Sequence, residues 1–99
     1  MLFMVIGELR PGLLDNGKPG DFDELLVAEQ APGARYIEDG IVVQAWSMAG
    51  VLGAVAIFEA ESRDEFDRVF QVLPMVEAGY VQARIIELAE YGGIPEIAG

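Results

Sequence analysis

Length, composition and charge narrow the classes of protein that this chain can form. It has 99 residues, 53% of them hydrophobic, with 17 acidic and 6 basic residues and neither His nor Cys. A net charge of −11 at pH 7 argues against nucleic acid and anionic membranes as partners, since both attract basic patches. Without His or Cys the commonest metal ligands and a thiolate nucleophile are missing, so we expect no metal and no cofactor. The hydrophobic share is high for a small domain, which indicates a second buried face against another chain or a ligand.

The first predicted element is a strand over residues 2–9, a nearly continuous apolar run that ends before Pro11 and Gly12. The opening segment is too short to cross a bilayer and lacks the basic start of a signal peptide, so we expect a soluble, cytoplasmic protein. Residues 11–20 are rich in Gly and Pro and predict a loop.

A helix is predicted from Asp21, which with Glu24 has the spacing of a capping box. Its apolar pattern continues beyond Pro32 and ends at Gly40, a residue suited to the left-handed position after a helix. Pro32 removes a backbone donor and clashes with the preceding turn, so the pattern predicts a kink or two helical pieces.

The second half of the chain predicts a hairpin, a helix and a last strand. Residues 41–48 and 51–59 are apolar and β-rich, joined by a turn at Ala49 and Gly50. Ser62 and Glu65 form a second capping box, and the helix that follows is predicted to end at Pro74. Residues 80–88 predict the last strand, and residues 91–99 a tail.

The predicted order β-α-β-β-α-β defines an α+β, ferredoxin-like domain over residues 1–90 with an antiparallel sheet. This arrangement packs both helices on one face of the sheet and leaves the other face bare. In so apolar a chain, a bare face predicts pairing with a second copy.

Several residues match a known family across nearly the whole chain: Met1, Leu2, Phe3, Val5, Gly40, Trp46, Ala49, Gly50, Phe58, Ser62, Leu73 and Pro74. In these positions the chain resembles the muconolactone isomerase family, whose members are dimeric α/β barrels built from ferredoxin-like chains. The resemblance implies a homodimer or larger homo-oligomer. The family places a His and a Lys in the first strand where this chain has Met4 and Ile6, which argues against muconolactone itself as the substrate.

Strand alternation assigns a set of side chains to the barrel interior that the resemblance implies. The predicted site residues are Met4, Ile6, Glu8, Gln44, Trp46, Met48, Gln82 and Arg84. Glu8 is the candidate base and Arg84 the candidate clamp for a substrate carboxylate or enolate, with the others binding a small apolar organic acid. The alternative is that Glu8 and Arg84 pair with each other or lie in water at strand ends, and that Trp46 fills a core or an interface.

These observations leave more than one function open. The first is a cofactor-independent isomerase, or a related enzyme, acting on a small lactone, enol or aromatic-derived acid; a cofactor-free oxygenase of the same fold is a variant of it. The second is a non-catalytic small-ligand-binding or assembly protein. The third, an acidic regulatory partner of a basic protein, depends on net charge alone.

Overall fold

A computed structural model describes residues 1–92, and residues 93–99, most of the predicted tail, lie outside the described part. Its elements, in chain order, are β1 (Leu2–Leu9), α1 (Phe22–Ala28), α2 (Gln30–Glu38), β2 (Val42–Ser47), β3 (Gly53–Glu59), α3 (Arg63–Gln71), α4 (Pro74–Glu77) and β4 (Val81–Leu88). The strands form one four-stranded sheet in the order β2-β3-β1-β4, and every neighbouring pair is antiparallel. This is the ferredoxin-like α+β fold that the element order predicts.

The first helical region is divided into two pieces, as Pro32 predicts. The division falls at Glu29, between α1 and α2. Proline at position 32 cannot donate to the carbonyl of Ala28, and its ring crowds that carbonyl, so the ladder is interrupted one turn earlier. The helical direction resumes at once, because Gly33 N–H donates to the Glu29 carbonyl oxygen at 3.1 Å.

The predicted capping box at the start of α1 is wrong. Asp21 precedes the helix, but its side chain makes no capping hydrogen bond. Instead the carboxylate of Asp21 accepts a hydrogen bond from the hydroxyl of Tyr80, just before β4. A tertiary partner therefore takes the side chain that local spacing assigns to the helix end, and it holds the 11–20 loop against the sheet.

The Ser62 half of the capping box predicted for α3 forms, and the Glu65 carboxylate bonds one residue earlier than that motif requires. The Ser62 hydroxyl accepts from Glu65 N–H at 3.1 Å, while the Glu65 carboxylate accepts from Glu61 N–H at 2.8 Å. Pro74 ends the helical region less sharply than predicted, since it also begins α4 as its first residue. Proline suits that position because the N–H of a first helical residue has no acceptor within the helix, and proline has no N–H to satisfy.

The hairpin between the helices has shorter strands and a longer turn than predicted. Its strands begin and end at Val42–Ser47 and Gly53–Glu59, with a register shift between Val42 and Gln44. Gly53 starts β3 at a close approach, where a Cβ atom would lie 2.8 Å from the Gly7 carbonyl oxygen. The turn itself uses Gly50 in the left-handed region, with φ of 79°.

The core lies between the sheet and the helices and is dominated by phenylalanine. Phe66 of α3 is fully buried and has its ring centroid 4.8 Å from Phe3, 5.3 Å from Phe58 and 5.4 Å from Phe70. Aromatic contacts of this kind add to the stabilisation that burial provides. The strands β1 and β3 are thereby joined to α3, while α2 packs over β2 on the same face and α1 packs against α2 and α4.

The other face of the sheet has no covering element within residues 1–92, and we call it the open face. By strand register it carries Leu2, Met4, Ile6, Glu8, Gln44, Trp46, Val55, Ile57, Gln82, Arg84, Ile86 and Leu88. Most of these side chains are apolar, and Trp46 is 51% exposed. No helix in the described part of the chain is long and apolar enough to cross a membrane.

Candidate functional site

A cavity of about 550 Å³ lies between the helices and the sheet, on the face opposite to the open face. Its walls are mostly apolar and come from the sheet, from α1 and α2, and from the α3–α4 region; they include Val5, Leu26, Phe58, Leu73, Met75 and Val76. This volume and this lining are typical of a small-molecule site, which needs a concave apolar surface with a few polar groups. The cavity is large enough for a ligand of one or two rings.

Glu29 supplies a carboxylate to this cavity. It occupies the junction between α1 and α2, where the helical break turns its side chain toward the start of α4. There its Oε1 atom accepts a hydrogen bond from Met75 N–H at 2.9 Å. Burial raises the pKa of Glu29 above its usual value of 4.5, and the hydrogen bond from Met75 lowers it by less. A carboxyl group held in this way is suited to accept and return a proton.

Gly33 and Tyr36 continue the cavity wall along α2 from Glu29. The three residues are spaced at four and three positions, so they share one face of the helix, with about 10 Å between the first and the last. A Cβ atom at Gly33 would meet nothing within 4 Å, so the glycine leaves open space between the two polar groups. The space beside Glu29 is therefore a direct result of glycine at this helix position.

Tyr36 is an anchor of the cavity rather than a free donor. Its hydroxyl donates to the Val69 carbonyl oxygen at 2.7 Å, and its ring meets Phe58 edge-on with centroids 6.4 Å apart. Burial raises the pKa of Tyr36, with a smaller opposing effect of Arg35. The phenol therefore stays neutral and fixes α2 to α3, which keeps the cavity open.

The mouth of the cavity is marked by the lining residues that solvent reaches. They include Gln30 and Ile37 on α2, Ser47 and Leu52 beside the β2–β3 turn, and Glu8 near the end of β1. The polar side chains of Gln30 and Ser47 lie at this rim, whereas Glu29 is half-buried. A ligand entering between α2 and the turn would therefore pass a polar rim before it meets the carboxylate.

The predicted site residues lie on the open face. The register places Ile6 beside Arg84, Glu8 beside Gln82 and Met4 beside Ile86 on adjacent strands, so the structure brings the β1 and β4 members together. Gln44 and Trp46 lie on the same face but two strands away, across β3. Met48 follows β2 and has its sulfur over Gly53.

Glu8 and Arg84 are diagonal neighbours on that face, roughly 7 Å apart by strand geometry. Among residues 1–92 the ion pairs are Lys18–Asp23 and Arg63–Asp67, so Glu8 and Arg84 do not pair with each other. Glu8 also borders the cavity near the end of β1, and it is the one predicted site residue that does. Within the described residues no group of three or more acidic side chains is placed to hold a metal ion.

The residue that the sequence alone does not single out is Glu29. A carboxylate that breaks an apolar helical pattern three residues before a proline is a usable signal, because the proline interrupts the helix near it. The signal is nevertheless ambiguous, since a polar residue next to a helical break is usually solvated. Only the contact with Met75, 46 positions away in the chain, makes this carboxylate part of a site.

The chain is a ferredoxin-like α+β domain with a mostly apolar cavity between its helices and its sheet. The sequence profile of the muconolactone delta-isomerase family matches residues 1–93. The chain therefore belongs to the muconolactone delta-isomerase family. No curated protein sequence matches it.

Two solved structures show the same fold. The crystal structure of muconolactone isomerase at 3.3 Å resolution superimposes with a TM-score of 0.76 at 19% sequence identity, over 99% of this chain and 98% of that one. A dehydrochlorinase of 5-chloro-2-hydroxyhydroquinone from Burkholderia phenoliruptrix, in complex with 2,5-dihydroxybenzoquinone, gives a TM-score of 0.65 at 23% identity. It covers 92% of this chain and 96% of that one. At these identities the likeness is one of fold.

Proposed function

We propose that the protein is a cofactor-independent enzyme of the isomerase type, acting on a small lactone, enol or aromatic-derived acid. The observation that carries the proposal is the half-buried carboxylate of Glu29 in an apolar cavity, with burial raising its pKa. Membership of the muconolactone delta-isomerase family supports the reaction class. The dehydrochlorinase neighbour, whose structure holds a dihydroxybenzoquinone, supports a small ring as the ligand.

In the proposed reaction Glu29 moves one proton within the ligand. Its carboxylate takes a proton from the carbon next to a carbonyl group, and the C–H electron pair enters a conjugated enolate. The neutral acid then returns the proton to the far end of the conjugated system, so the double bond migrates and the carboxylate is regenerated. The hydrogen bond from Met75 N–H orients the carboxyl group throughout, and the apolar walls limit access of water.

The open face completes the proposal as the surface that pairs with a second copy. Its apolar side chains, among them Met4, Ile6 and Ile57, are grouped on one side of the sheet, and a monomer would expose them to water. A homodimer joined there removes that apolar area from solvent. Glu8 and Arg84 would then lie inside a barrel, which is the alternative location for the proton transfer.

An isomerisation assay with matched variants distinguishes the site at Glu29 from the site at Glu8. α-Angelica lactone, a neutral unsaturated lactone, is incubated with the protein in D₂O, and proton NMR follows double-bond migration and deuterium uptake. We expect catalysis by the wild type and a loss of about 10²- to 10⁴-fold in Glu29→Gln, the usual contribution of a general base. Glu8→Gln should retain the wild-type rate, and the exposed Glu38→Gln controls for the change in net charge.

The opposite result is equally informative. Full activity in Glu29→Gln with a large loss in Glu8→Gln would overturn Glu29 as the base and support Glu8 instead. Binding of small rings without any exchange or migration would instead favour the second candidate, a non-catalytic ligand-binding or assembly protein. The observation behind that candidate is the presence of Met4 and Ile6 on the open face, where no side chain of β1 before Glu8 can transfer a proton.

A further inference from the structure

The charged side chains that line the cavity are all of one sign. The six basic residues of the chain are Arg10, Lys18, Arg35, Arg63, Arg68 and Arg84, and none of them lines the cavity. Its ionisable lining groups are two carboxylates, Glu8 and Glu29, and the phenol of Tyr36. Arg84 has its side chain on the open face, separated from the cavity by the sheet, so it does not neutralise a charge near Glu29.

The side chains in the cavity interior offer a ligand hydrogen-bond acceptors but no donor. Tyr36 already donates its proton to the Val69 carbonyl oxygen, so it offers a ligand no donor. Glu29 accepts from Met75 at Oε1, and its second carboxylate oxygen remains an acceptor. The polar side chains that can donate, Gln30 and Ser47, lie at the exposed rim. The interior therefore favours a ligand that brings its own donor, either a hydroxyl group or an acidic C–H group.

We infer that the cavity takes an electrically neutral ring compound with an enol, phenol or lactone C–H donor directed at Glu29, and that it rejects carboxylated relatives. The inference rests on the proposed function and narrows it to the neutral members of the substrate class. A carboxylated ligand would add a further negative charge to a cavity that is lined by carboxylates and by no cation. In a poorly solvated site that repulsion is much stronger than in water.

When the ligand is neutral, the total charge of Glu29 and the ligand does not change during the proton transfer. Before the step the negative charge is on Glu29 and the ligand is uncharged. When the carboxylate takes the proton, the electron pair of the broken bond stays on the ligand as an enolate or phenolate, and Glu29 becomes a neutral acid. The transfer thus adds no negative charge to the cavity at any stage, and the neutral Glu29 can donate a hydrogen bond to the ligand anion.

The test uses two fluorescent probes of the same ring size that differ in charge at pH 7, 2-naphthol and 2-naphthoate. Dissociation constants are measured by fluorescence titration of the full-length protein in 0.15 M salt, which screens distant charges. We expect wild-type protein to bind 2-naphthol at least ~10-fold more tightly than 2-naphthoate. In Glu29→Gln that ratio should fall to less than ~3-fold, chiefly because 2-naphthoate binds better.

Glu38→Gln makes the same change in net charge on the exposed end of α2 and should leave the ratio unchanged. The inference is overturned by equal or tighter binding of 2-naphthoate to wild type, by the absence of binding of both probes, or by equal effects of the two variants. The assay needs no turnover, so its failure is distinct from failure of the proposed function. Selective binding of 2-naphthol without lactone isomerisation would contradict the proposed enzymatic activity but would still support the preference of the cavity for neutral ligands.

Discussion

The two faces of the one sheet differ in how they combine burial with polarity. The helix-covered face has large aromatic side chains around Phe66 and a cavity in which one carboxylate, Glu29, is half-buried. The open face has aliphatic side chains with Glu8 and Arg84 among them, and these polar groups are exposed in the single chain. Polar residues on a strand are easy to recognise in a sequence. A carboxylate becomes a useful base, however, only when burial raises its pKa, and the strand pattern does not show burial of that kind. The helix break, rather than the sheet, supplies that desolvated carboxylate here.

The largest contrast between the faces should appear in stability. Phe66→Ala removes a fully buried ring that contacts three other phenylalanines and should cost about 3–5 kcal/mol in the free energy of unfolding. Trp46→Ala removes a larger ring from the open face, where half of it is exposed.

We expect Trp46→Ala to cost less than about 1 kcal/mol in dilute protein, with any greater loss depending on protein concentration. Urea unfolding followed by circular dichroism measures both values, and Phe66→Leu provides a milder variant that stays folded. Equal losses at the two positions, independent of concentration, would contradict the assignment of the core to one face.

The next effect concerns assembly and tests the open face directly. Ile57→Arg places a charge in the middle of that face and should weaken self-association at least ~100-fold, because an unpaired charge would be buried. Light scattering after size-exclusion chromatography would then report the monomer mass. Val27→Arg adds the same charge on α1, at a position that is 64% exposed, and should leave the mass unchanged. A wild-type monomer, or an unchanged assembly in Ile57→Arg, would rule out pairing through this face.

A smaller effect should separate stability from binding on the helix-covered face. Gly33→Ala should raise the free energy of unfolding by about 0.5–1 kcal/mol, because glycine is a poor helix former and the new methyl group meets open space. Gly33→Leu extends the side chain into the cavity and should reduce 2-naphthol binding by at least ~10-fold without loss of stability. Thermal unfolding and fluorescence titration of the same samples would check both. Unchanged binding in Gly33→Leu would place the ligand elsewhere.

The smallest expected effect is the pH dependence that Glu29 contributes. Its pKa is raised in the folded state, so the folded protein holds this proton more tightly than the unfolded chain. The stabilising contribution is complete below the usual pKa of 4.5, which applies to the unfolded chain, and is lost as the pH rises through the raised folded value. The free energy of unfolding of wild type minus that of Glu29→Gln should therefore fall from pH 4 upward. A difference that rises with pH would contradict burial as the dominant influence on Glu29.

The fold was largely accessible from the sequence because its signals are local. The helix cap at Ser62, the helix division caused by Pro32 and the alternation in the strands each depend on residues close together in the chain, and the structure contains all three. The prediction that Asp21 caps α1 is wrong because a distant hydroxyl, that of Tyr80, competes for its carboxylate. Local spacing cannot report such a competitor.

The candidate site was less accessible because a cavity is a property of tertiary packing. Alternation correctly groups Met4, Ile6 and Glu8 on one face, but it cannot say which face of the sheet retains an unfilled volume. That volume depends on how far α2 stands from β2 and on the missing side chain at Gly33. The role of Glu8 and Arg84 therefore stays a prediction that depends on a second copy.

The most direct test is to locate a bound neutral ligand by nuclear Overhauser effects between 2-naphthol and the methyl groups of the protein. Contacts with Leu26, Leu73 and Val76, which line the cavity, are the result that we predict. Contacts with Met4, Ile6 and Ile86, which share the open face, would contradict it and place the ligand beside Glu8 and Arg84.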